Sequence, residues 1–218
     1  MPEPRDGYDE KLEGILRGAA AVFAEKGYHE ASIREISRAT GVSLAGLYYY
    51  VRSKEELLFL IQDHCFATVL ENLERLLAGV EDPRRRLRLF VENHLRFFVS
   101  NMREMKVLSH EADSLRGEYR RRVNARKKRY TELCAEILAA LRPPDSPIDL
   151  RVATFALFGM MNWIYNWYRP DRDVPVAELA DAFSRLFLWG YLSRAGAAPP
   201  PGAEAAVELE ALPSIWRR

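Results

Sequence analysis

The stretch that decides the fold is residues 41–57, GVSLAGLYYYVRSKEEL. Ser43 and Ser53 each stand directly before a segment that suits a helix, where a serine hydroxyl accepts hydrogen bonds from the free backbone N–H groups. They predict a short helix over residues 44–50 and a long helix that begins at residue 54. Gly41 predicts a tight turn that ends an earlier helix.

Two further helices are predicted upstream. Ser32 and Glu35 have the spacing of a capping box, so a short helix starts at Ser32 and ends at Gly41. A longer helix over residues 9–26 carries an apolar stripe and ends at Gly27. Two short helices that meet at a tight turn and pack on a third form a helix-turn-helix, whose second short helix enters the major groove of DNA.

The second short helix carries the clearest candidates for DNA contact. Adjacent helix positions point about 100° apart, so at least one of three consecutive tyrosines faces outward, where a phenol can donate to a phosphate. A glycine within a helix costs about 1 kcal/mol, which indicates a close approach of the backbone. A lysine at a helix start favours a phosphate. The predicted DNA contacts are Ser32, Arg34, Ser43, Leu44, Ala45, Gly46, Tyr48, Tyr49, Tyr50 and Lys54.

Charge and cysteine content restrict the class of protein. The 218 residues include 32 Lys and Arg and 31 Asp and Glu, and residues 1–54 carry eight of each sign. A neutral DNA-binding segment argues against non-specific binding and favours a dimer on a defined operator, with half-sites about 34–36 Å apart. The two cysteines lie far apart without metal-ligand or disulfide spacing. We therefore expect no metal and a reducing, cytoplasmic location.

The rest of the chain indicates helices throughout, and strand signals are nearly absent. We predict an all-α protein of about nine helices, with a three-helix DNA-binding head over residues 1–52. A helical ligand-binding and dimerisation domain follows over residues 53–194, with helices near 53–77, after Pro83, 103–110, 118–141, 149–168 and after Pro175. Residues 195–218, rich in Ala, Pro and Glu, are predicted to be a flexible tail.

Several polar residues fall on otherwise apolar helix faces of the second domain. An inward arginine at position 126 needs an anion, either one of the carboxylates of Glu92, Glu104 and Asp113 or an anionic ligand. Buried amides and imidazoles also need partners, either within the chain or in a small molecule bound in a chamber. The predicted ligand contacts are His94, Phe97, Phe98, Asn101, Arg126, Tyr130, Asn162, Trp163, Asn166 and Trp167.

The last two long helices are apolar on nearly all sides, over residues 152–168 and 183–192. Such helices need two partners, so we predict that they pack on their own domain and on a second subunit as a four-helix bundle. The stretch around residues 155–168 contains two asparagines and is too short and polar to span a membrane.

Residues 41–57, together with Ala20, Phe23, Gly27, Tyr28 and residues 32–36, resemble the signature of the tetracycline-repressor (TetR) family. The resemblance covers about residues 9–60. Ala45 and Gly46 stand where the family usually has a glycine and a small hydroxyl residue, and Val51 replaces the usual phenylalanine. The resemblance implies an operator-binding homodimer with a small-molecule chamber in its C-terminal domain.

Residues 162–170, NWIYNWYRP, look like a segment of TetR regulators of fatty-acid, sterol and aromatic-acid catabolism, which sense acyl-CoA thioesters. Residues 84–129 carry fifteen Lys and Arg against five Asp and Glu, a surplus suited to the nucleotide phosphates. We therefore expect a repressor that an acyl-CoA releases from its operator, with no cofactor. The alternative effector is another hydrophobic small molecule, as in drug-efflux regulators.

Three other classes of protein compete with this interpretation. The chain shows no Ser/His/Asp cue, glycine-rich phosphate loop or metal-ligand spacing that would indicate an enzyme, for example one acting on acyl-CoA. A membrane-surface protein would use the basic segment 120–129. A non-specific nucleoid protein would need a basic head, and this head is neutral.

Overall fold

A computed structural model describes residues 6–111 and 113–192. The predicted tail lies outside the described residues. Over the described part the chain forms helices and no strands, as expected for an all-α protein. The elements are α1 Asp6–Lys26, α2 Ile33–Thr40, α3 Leu44–Tyr50, α4 Lys54–Leu77, α5 Pro83–Ser100, α6 Met102–His110, α7 Gly117–Leu141, α8 Leu150–Asn162, α9 Ile164–Trp167 and α10 Val176–Tyr191.

The helix caps of the head follow the sequence rules. The Ser32 hydroxyl accepts from the backbone N–H of Glu35, and the Glu35 carboxylate accepts from the Ser32 N–H at 2.9 Å, which completes the capping box. Hydrogen bonds from Lys26 and Ser32 lower the pKa of Glu35 to about 2. Gly41 ends α2 with a φ of 66°, and Ser43 and Ser53 cap the next two helices. These local contacts determine where α2, α3 and α4 begin.

Helix α4 joins the head to the second domain. Its first half packs on α1 in the core of the head, and its second half packs on α5 and α7. The side chains of Phe66, Phe97 and Phe98 contact the hydrophobic cores of both parts. Helix α6 also packs on α1, so the head is held by more than one element of the second domain.

The helix predicted over residues 149–168 is interrupted. Helix α8 ends at Asn162, and the Asn166 N–H bonds to the carbonyl of Trp163 at 3.1 Å, three residues back, in a tighter turn than the α-helix has. Ile164 within this turn and Tyr168 just after it are both buried. The apolar spacing continues through the interruption, which is why the sequence pattern predicted one helix. Among the described residues no helix is long and apolar enough to cross a membrane.

Candidate DNA-binding surface and ligand chamber

The exposed face of the helix-turn-helix consists of the start of α2 and most of α3. Tyr48 and Tyr49 are 56% and 73% exposed, and Leu44 is 38% exposed. The predicted contacts Ser32, Arg34, Ser43 and Ala45 are also exposed. Leu47, which lies between the exposed positions of α3, is fully buried. DNA contact by these residues stays a prediction.

Tyr50 has a packing role. Its ring is half-buried, and it lies 4.8 Å from the ring of Tyr8 and 5.2 Å from that of Tyr49. Tyr8 belongs to α1, so Tyr50 attaches α3 to that helix. Of the three consecutive tyrosines, the structure leaves Tyr48 and Tyr49 for the outer surface.

Gly46 fits closely against the turn that caps its own helix. A Cβ at this position would lie 3.0 Å from Val42 Cγ1 and 3.2 Å from the Ser43 hydroxyl oxygen. The Gly46 N–H donates to that hydroxyl at 3.1 Å. The close approach expected from the sequence is therefore made within the chain, to the turn that precedes α3.

Lys54 occupies a different position from the one expected for a phosphate contact. Its ammonium group donates to the carbonyl oxygens of Tyr28 at 2.8 Å, His29 at 3.0 Å and Ala31 at 2.9 Å, and it lies 4.6 Å from the centre of the Tyr28 ring. A lysine has three N–H donors, so all of them are used here. Lys54 thus closes the loop between α1 and α2, a role that the sequence did not predict, and its contact with a phosphate stays a prediction.

A cavity of about 350 Å³ lies between α4, α5, α6, α7 and α8. Five of the ten predicted ligand contacts line it: His94, Phe97, Phe98, Tyr130 and Asn162. Its other walls come from residues that the sequence analysis did not single out, namely Cys65, Phe66, Val69, Met105, Leu108, Lys127, Thr131, Phe155 and Phe158. Most of these are apolar residues on amphipathic helices, so the sequence alone does not distinguish them from ordinary core residues.

The other five predicted contacts lie elsewhere. Asn101 ends α5, where its side-chain amide donates to the Phe97 carbonyl at 2.8 Å. Trp163, Asn166 and Trp167 point outward from the tight turn after α8 and are exposed. None of these four side chains belongs to the described residues that line the cavity.

Arg126 is paired within the chain. Its Nε atom lies 2.6 Å from Asp63 Oδ1, and a terminal guanidinium nitrogen lies 3.3 Å from Oδ2. The hydrogen bond with Asp63 raises the pKa of Arg126. The anion is therefore a carboxylate of the chain, but it is Asp63 and none of the three carboxylates considered from the sequence, and Arg126 does not line the cavity.

The next residue, Lys127, is the one charged residue among the described cavity-lining residues. Burial lowers the pKa of this lysine, whose ammonium lies 5.4 Å from the centre of the Phe66 ring. No carboxylate of the described residues comes within ion-pair distance of it. The other basic residues of α7 each lie within ion-pair distance of a carboxylate: Arg120, Arg121, Arg122, Arg126, Lys128 and Arg129.

His94 is the most deeply buried polar group of the cavity. Burial lowers its pKa to about 3, and the side chain of Asn162 acts more weakly in the opposite direction. Its Nδ1 atom lies 3.2 Å from the Tyr130 hydroxyl oxygen, and its ring stacks on Phe98 at 4.3 Å. Its Nε2 atom has no hydrogen-bond partner among the described residues. The imidazole is therefore neutral and presents one unsatisfied nitrogen.

Helices α8 and α10 carry large apolar side chains on their outer faces. Val152 is 62% exposed, and Leu186 and Trp189 are 60% and 73% exposed. Single exposed apolar residues are ordinary, but a group on two adjacent helices indicates an interaction surface. This arrangement agrees with the dimer face predicted for the last two long helices.

Comparison with known proteins places the chain in a family. The family sequence model for bacterial regulatory proteins of the tetR family matches residues 15–61, and the tetracyclin repressor-like C-terminal domain matches residues 80–191. The transcriptional activator FasR of Mycolicibacterium smegmatis is 27% identical over 189 residues, which cover 85% of this chain and 84% of FasR.

Similar solved structures support the same family assignment. A TetR-family transcriptional regulator from Bordetella parapertussis is 32% identical with a TM-score of 0.77, over 83% of this chain and 95% of that one. AibR in complex with isovaleryl coenzyme A and operator DNA is 29% identical with a TM-score of 0.72, over 81% of this chain and 97% of that one. The chain therefore belongs to the TetR family of ligand-responsive, DNA-binding transcriptional regulators.

Proposed function

We propose that this protein is a dimeric repressor that binds its operator through α3 and is released by an acyl-CoA thioester whose acyl chain fills the cavity. The observation that carries the proposal is the combination of an apolar, aromatic cavity with the unpaired, partly buried ammonium of Lys127 at its wall. Asp113 acts on Lys127 only from beyond ion-pair distance, and a half-buried cation that makes no ion pair favours an anionic partner. A fatty acyl group joined to a phosphorylated nucleotide has both properties.

The size of the cavity restricts the acyl chain. Small-molecule sites in proteins range over about 300–1,000 Å³, and a volume of about 350 Å³ is near the lower end. We expect a short or medium acyl chain inside and the nucleotide outside. The similarity to AibR, whose solved complex contains isovaleryl coenzyme A, supports this choice.

The position of the cavity explains how a ligand could affect the head. Phe66, Phe97 and Phe98 line the cavity and also contact both hydrophobic cores. A ligand that pushes these rings apart shifts α4, and the N-terminus of α4 directly follows the helix-turn-helix. The spacing of the two recognition helices then no longer fits the operator. The ligand must bind this DNA-incompetent state more tightly, or it shifts nothing.

The second candidate effector is an uncharged hydrophobic molecule. The same apolar walls would accept it, whereas the unpaired Lys127 favours the anionic ligand. The direction of the response is a separate question, because FasR is a transcriptional activator. One DNA-binding assay distinguishes the acyl-CoA from the uncharged effector, and it also shows whether the effector weakens or strengthens operator binding.

The experiment starts from operator duplexes selected from random DNA with the full-length protein. Fluorescence anisotropy then follows operator binding during titration with acetyl-, butyryl-, isovaleryl-, octanoyl- and palmitoyl-CoA, with coenzyme A and the matching methyl esters as controls. Acyl-CoA of short or medium length is expected to release the DNA. Operator binding that every acyl-CoA leaves intact contradicts the proposal, and strengthened binding indicates an activator or co-repressed regulator.

Lys127→Met tests the cation with a matched control. The variant is expected to need about tenfold more acyl-CoA for release, the effect of losing about 1.4 kcal/mol. Lys128→Met removes the neighbouring lysine, which is exposed and paired with Glu132. This control is expected to respond as the wild type does. Equal responses of all three proteins would favour the uncharged effector.

A further inference from the structure

A second cavity, of about 210 Å³, lies at the junction of the DNA-binding head and the second domain. Its walls come from α1, α4 and the adjoining ends of α5 and α6, and it is called the head cavity below. Most of its lining residues belong to α1 and α4, among them Glu13, Leu16, Arg17, Ile61, His64 and Thr68. A molecule in the head cavity would therefore contact a helix of the head directly.

Two residues, Cys65 of α4 and Phe97 of α5, line both the head cavity and the ligand cavity of about 350 Å³ described above. They therefore belong to the wall that the two cavities share. Phe97 lies in the last turn of α5, where the Asn101 side-chain amide donates to its carbonyl at 2.8 Å. Its benzyl group is much larger than the thiol of Cys65, so Phe97 is the residue whose loss would open this wall most.

The two cavities differ in polarity. Lys127 is the one charged residue among the described residues that line the ligand cavity. The head cavity is lined by Glu13 and Arg17, which form an ion pair at 2.5 Å, and by His64 and Glu104. An apolar chain that entered it would remove water from these groups, which costs free energy. The wall at Phe97 thus separates a space that suits an apolar chain from one that does not.

We propose that Phe97 determines the maximum length of the apolar chain that the ligand cavity accepts, because its ring closes this cavity against the head cavity. The inference rests on the proposed function only in that an apolar chain occupies the ligand cavity. A chain gains about fourfold in affinity for each methylene that it buries. This gain is expected to stop at the length at which the chain meets the Phe97 ring.

The test is a chain-length series with the full-length protein. Isothermal titration calorimetry measures the dissociation constants of straight-chain acyl-CoAs from butyryl- to stearoyl-CoA, and a thermal-shift assay follows the matching methyl esters. In the wild type, affinity is expected to rise with length up to a limit and no further. Continued tightening up to stearoyl-CoA in the wild type would overturn the proposal.

Phe97→Ala is expected to move this limit to longer chains. The chains just beyond the wild-type limit should bind about tenfold more tightly than they bind the wild type, the effect of about two more buried methylenes. Phe97→Leu keeps an apolar side chain in the wall and is expected to move the limit in the same direction by less. A limit that stays the same in both variants would overturn the role of Phe97.

Phe98→Ala is the matched control. Phe98 is the neighbouring ring on α5, and it lines the ligand cavity but not the head cavity. Its loss widens the ligand cavity without opening the shared wall, so the limit is expected to move less than in Phe97→Ala. Equal shifts in the two variants would contradict a specific role for Phe97.

A crystal structure of Phe97→Ala with the first chain that gains affinity shows where the added methylenes lie. The proposal expects the chain to pass Cys65 and to end in the head cavity near Leu16. A chain that folds back inside the ligand cavity would overturn it.

The two ligand series separate this inference from the proposed effector. If only the methyl esters bind and their limit depends on Phe97, the acyl-CoA effector fails and the length limit stands. If acyl-CoAs bind and release the operator with the same limit in every variant, the role of Phe97 fails and the proposed function stands. Absence of binding by both series overturns both.

Discussion

Arg126 on α7 forms a two-point ion pair with Asp63 on α4. Its Nε atom lies 2.6 Å from Asp63 Oδ1, and a terminal guanidinium nitrogen lies 3.3 Å from Oδ2. Arg122 lies 3.9 Å from the same carboxylate. Helix α4 leads out of the DNA-binding head, and both helices form walls of the cavity. This ion pair therefore links the two helices whose separation a ligand would change.

A double-mutant cycle with Arg126→Met and Asp63→Asn measures the strength of this link. Because the two side chains are 35% and 16% exposed, we expect a coupling free energy of about 1 kcal/mol from urea unfolding. The exposed pair Arg121 and Glu118 serves as the control and is expected to give a coupling near zero. Additive effects at Arg126 and Asp63 would contradict the link.

Substitutions of Tyr49 test the proposed DNA surface. Tyr49→Ala is expected to weaken operator binding by about tenfold or more, since a lost base or phosphate contact costs about 1–3 kcal/mol. Tyr49→Phe keeps the ring contacts with Tyr8 and Tyr50 and removes only the exposed hydroxyl, so it is expected to weaken binding less and to leave the melting temperature unchanged. Wild-type affinity of Tyr49→Ala would exclude Tyr49 from the interface.

Lys54→Met distinguishes a structural lysine from a phosphate contact. Loss of three hydrogen bonds from the ammonium group is expected to lower the free energy of unfolding by about 2 kcal/mol. The salt dependence of operator binding should not change, whereas loss of a phosphate contact would reduce its slope by about 0.9. A reduced slope with unchanged stability would restore the phosphate role expected from the sequence.

The outer faces of α8 and α10 are predicted to hold the dimer together. Leu186→Glu and Val152→Glu each place a charge on this surface and are expected to yield monomers in sedimentation velocity, with weakened operator binding. Leu76→Glu, at an exposed apolar position on α4, is the control that should stay dimeric. A monomeric wild type, or dimers of all three variants, would contradict this assignment.

The buried His94 predicts a specific dependence of stability on pH. Because its pKa is lowered to about 3, the unfolded chain binds a proton below about pH 6.5 that the folded protein does not. The free energy of unfolding should therefore fall as the pH drops from 6.5 toward 3, by up to about 1.4 kcal/mol per pH unit. Urea unfolding of wild type and His94→Phe between pH 6.5 and 4.5 measures the difference in slope.

The comparison with His94→Phe separates this effect from that of the other titrating groups of the cavity wall. Burial raises the pKa of Cys65 to about 12, raises that of Tyr130 and lowers that of Lys127. The pKa of Glu35 is lowered to about 2, so its contribution is lost at more acidic pH. His29→Gln, at an exposed histidine, is the control. Parallel pH profiles of wild type and His94→Phe would contradict a neutral buried His94.

The fold could be predicted where short-range rules decide it. Ser32 and Glu35 define the start of α2, and Gly41 and Ser43 define the turn before α3, because each acts within one helical turn. The interruption at Trp163 could not be predicted, since the apolar spacing is the same on both sides of it.

The site was predicted in part for a similar reason. His94 and Asn162 stood out as polar groups on apolar faces, and both line the cavity. Arg126 and Lys127 are neighbours on α7, and a helical pattern does not tell which of two adjacent long side chains reaches a cavity. Asp63, 63 residues earlier in the chain, decides it by pairing with Arg126. Such contacts between distant segments carry no signal in a single sequence.

The most direct test of the account is a crystal structure of the full-length protein with an acyl-CoA that alters operator binding. We predict electron density for the acyl chain inside the cavity, between Phe66 and Phe98, with the nucleotide outside and a phosphate near Lys127. Acyl density elsewhere, for instance in the open groove beside Arg88 and Leu186 on α5 and α10, with an unchanged cavity, would contradict it.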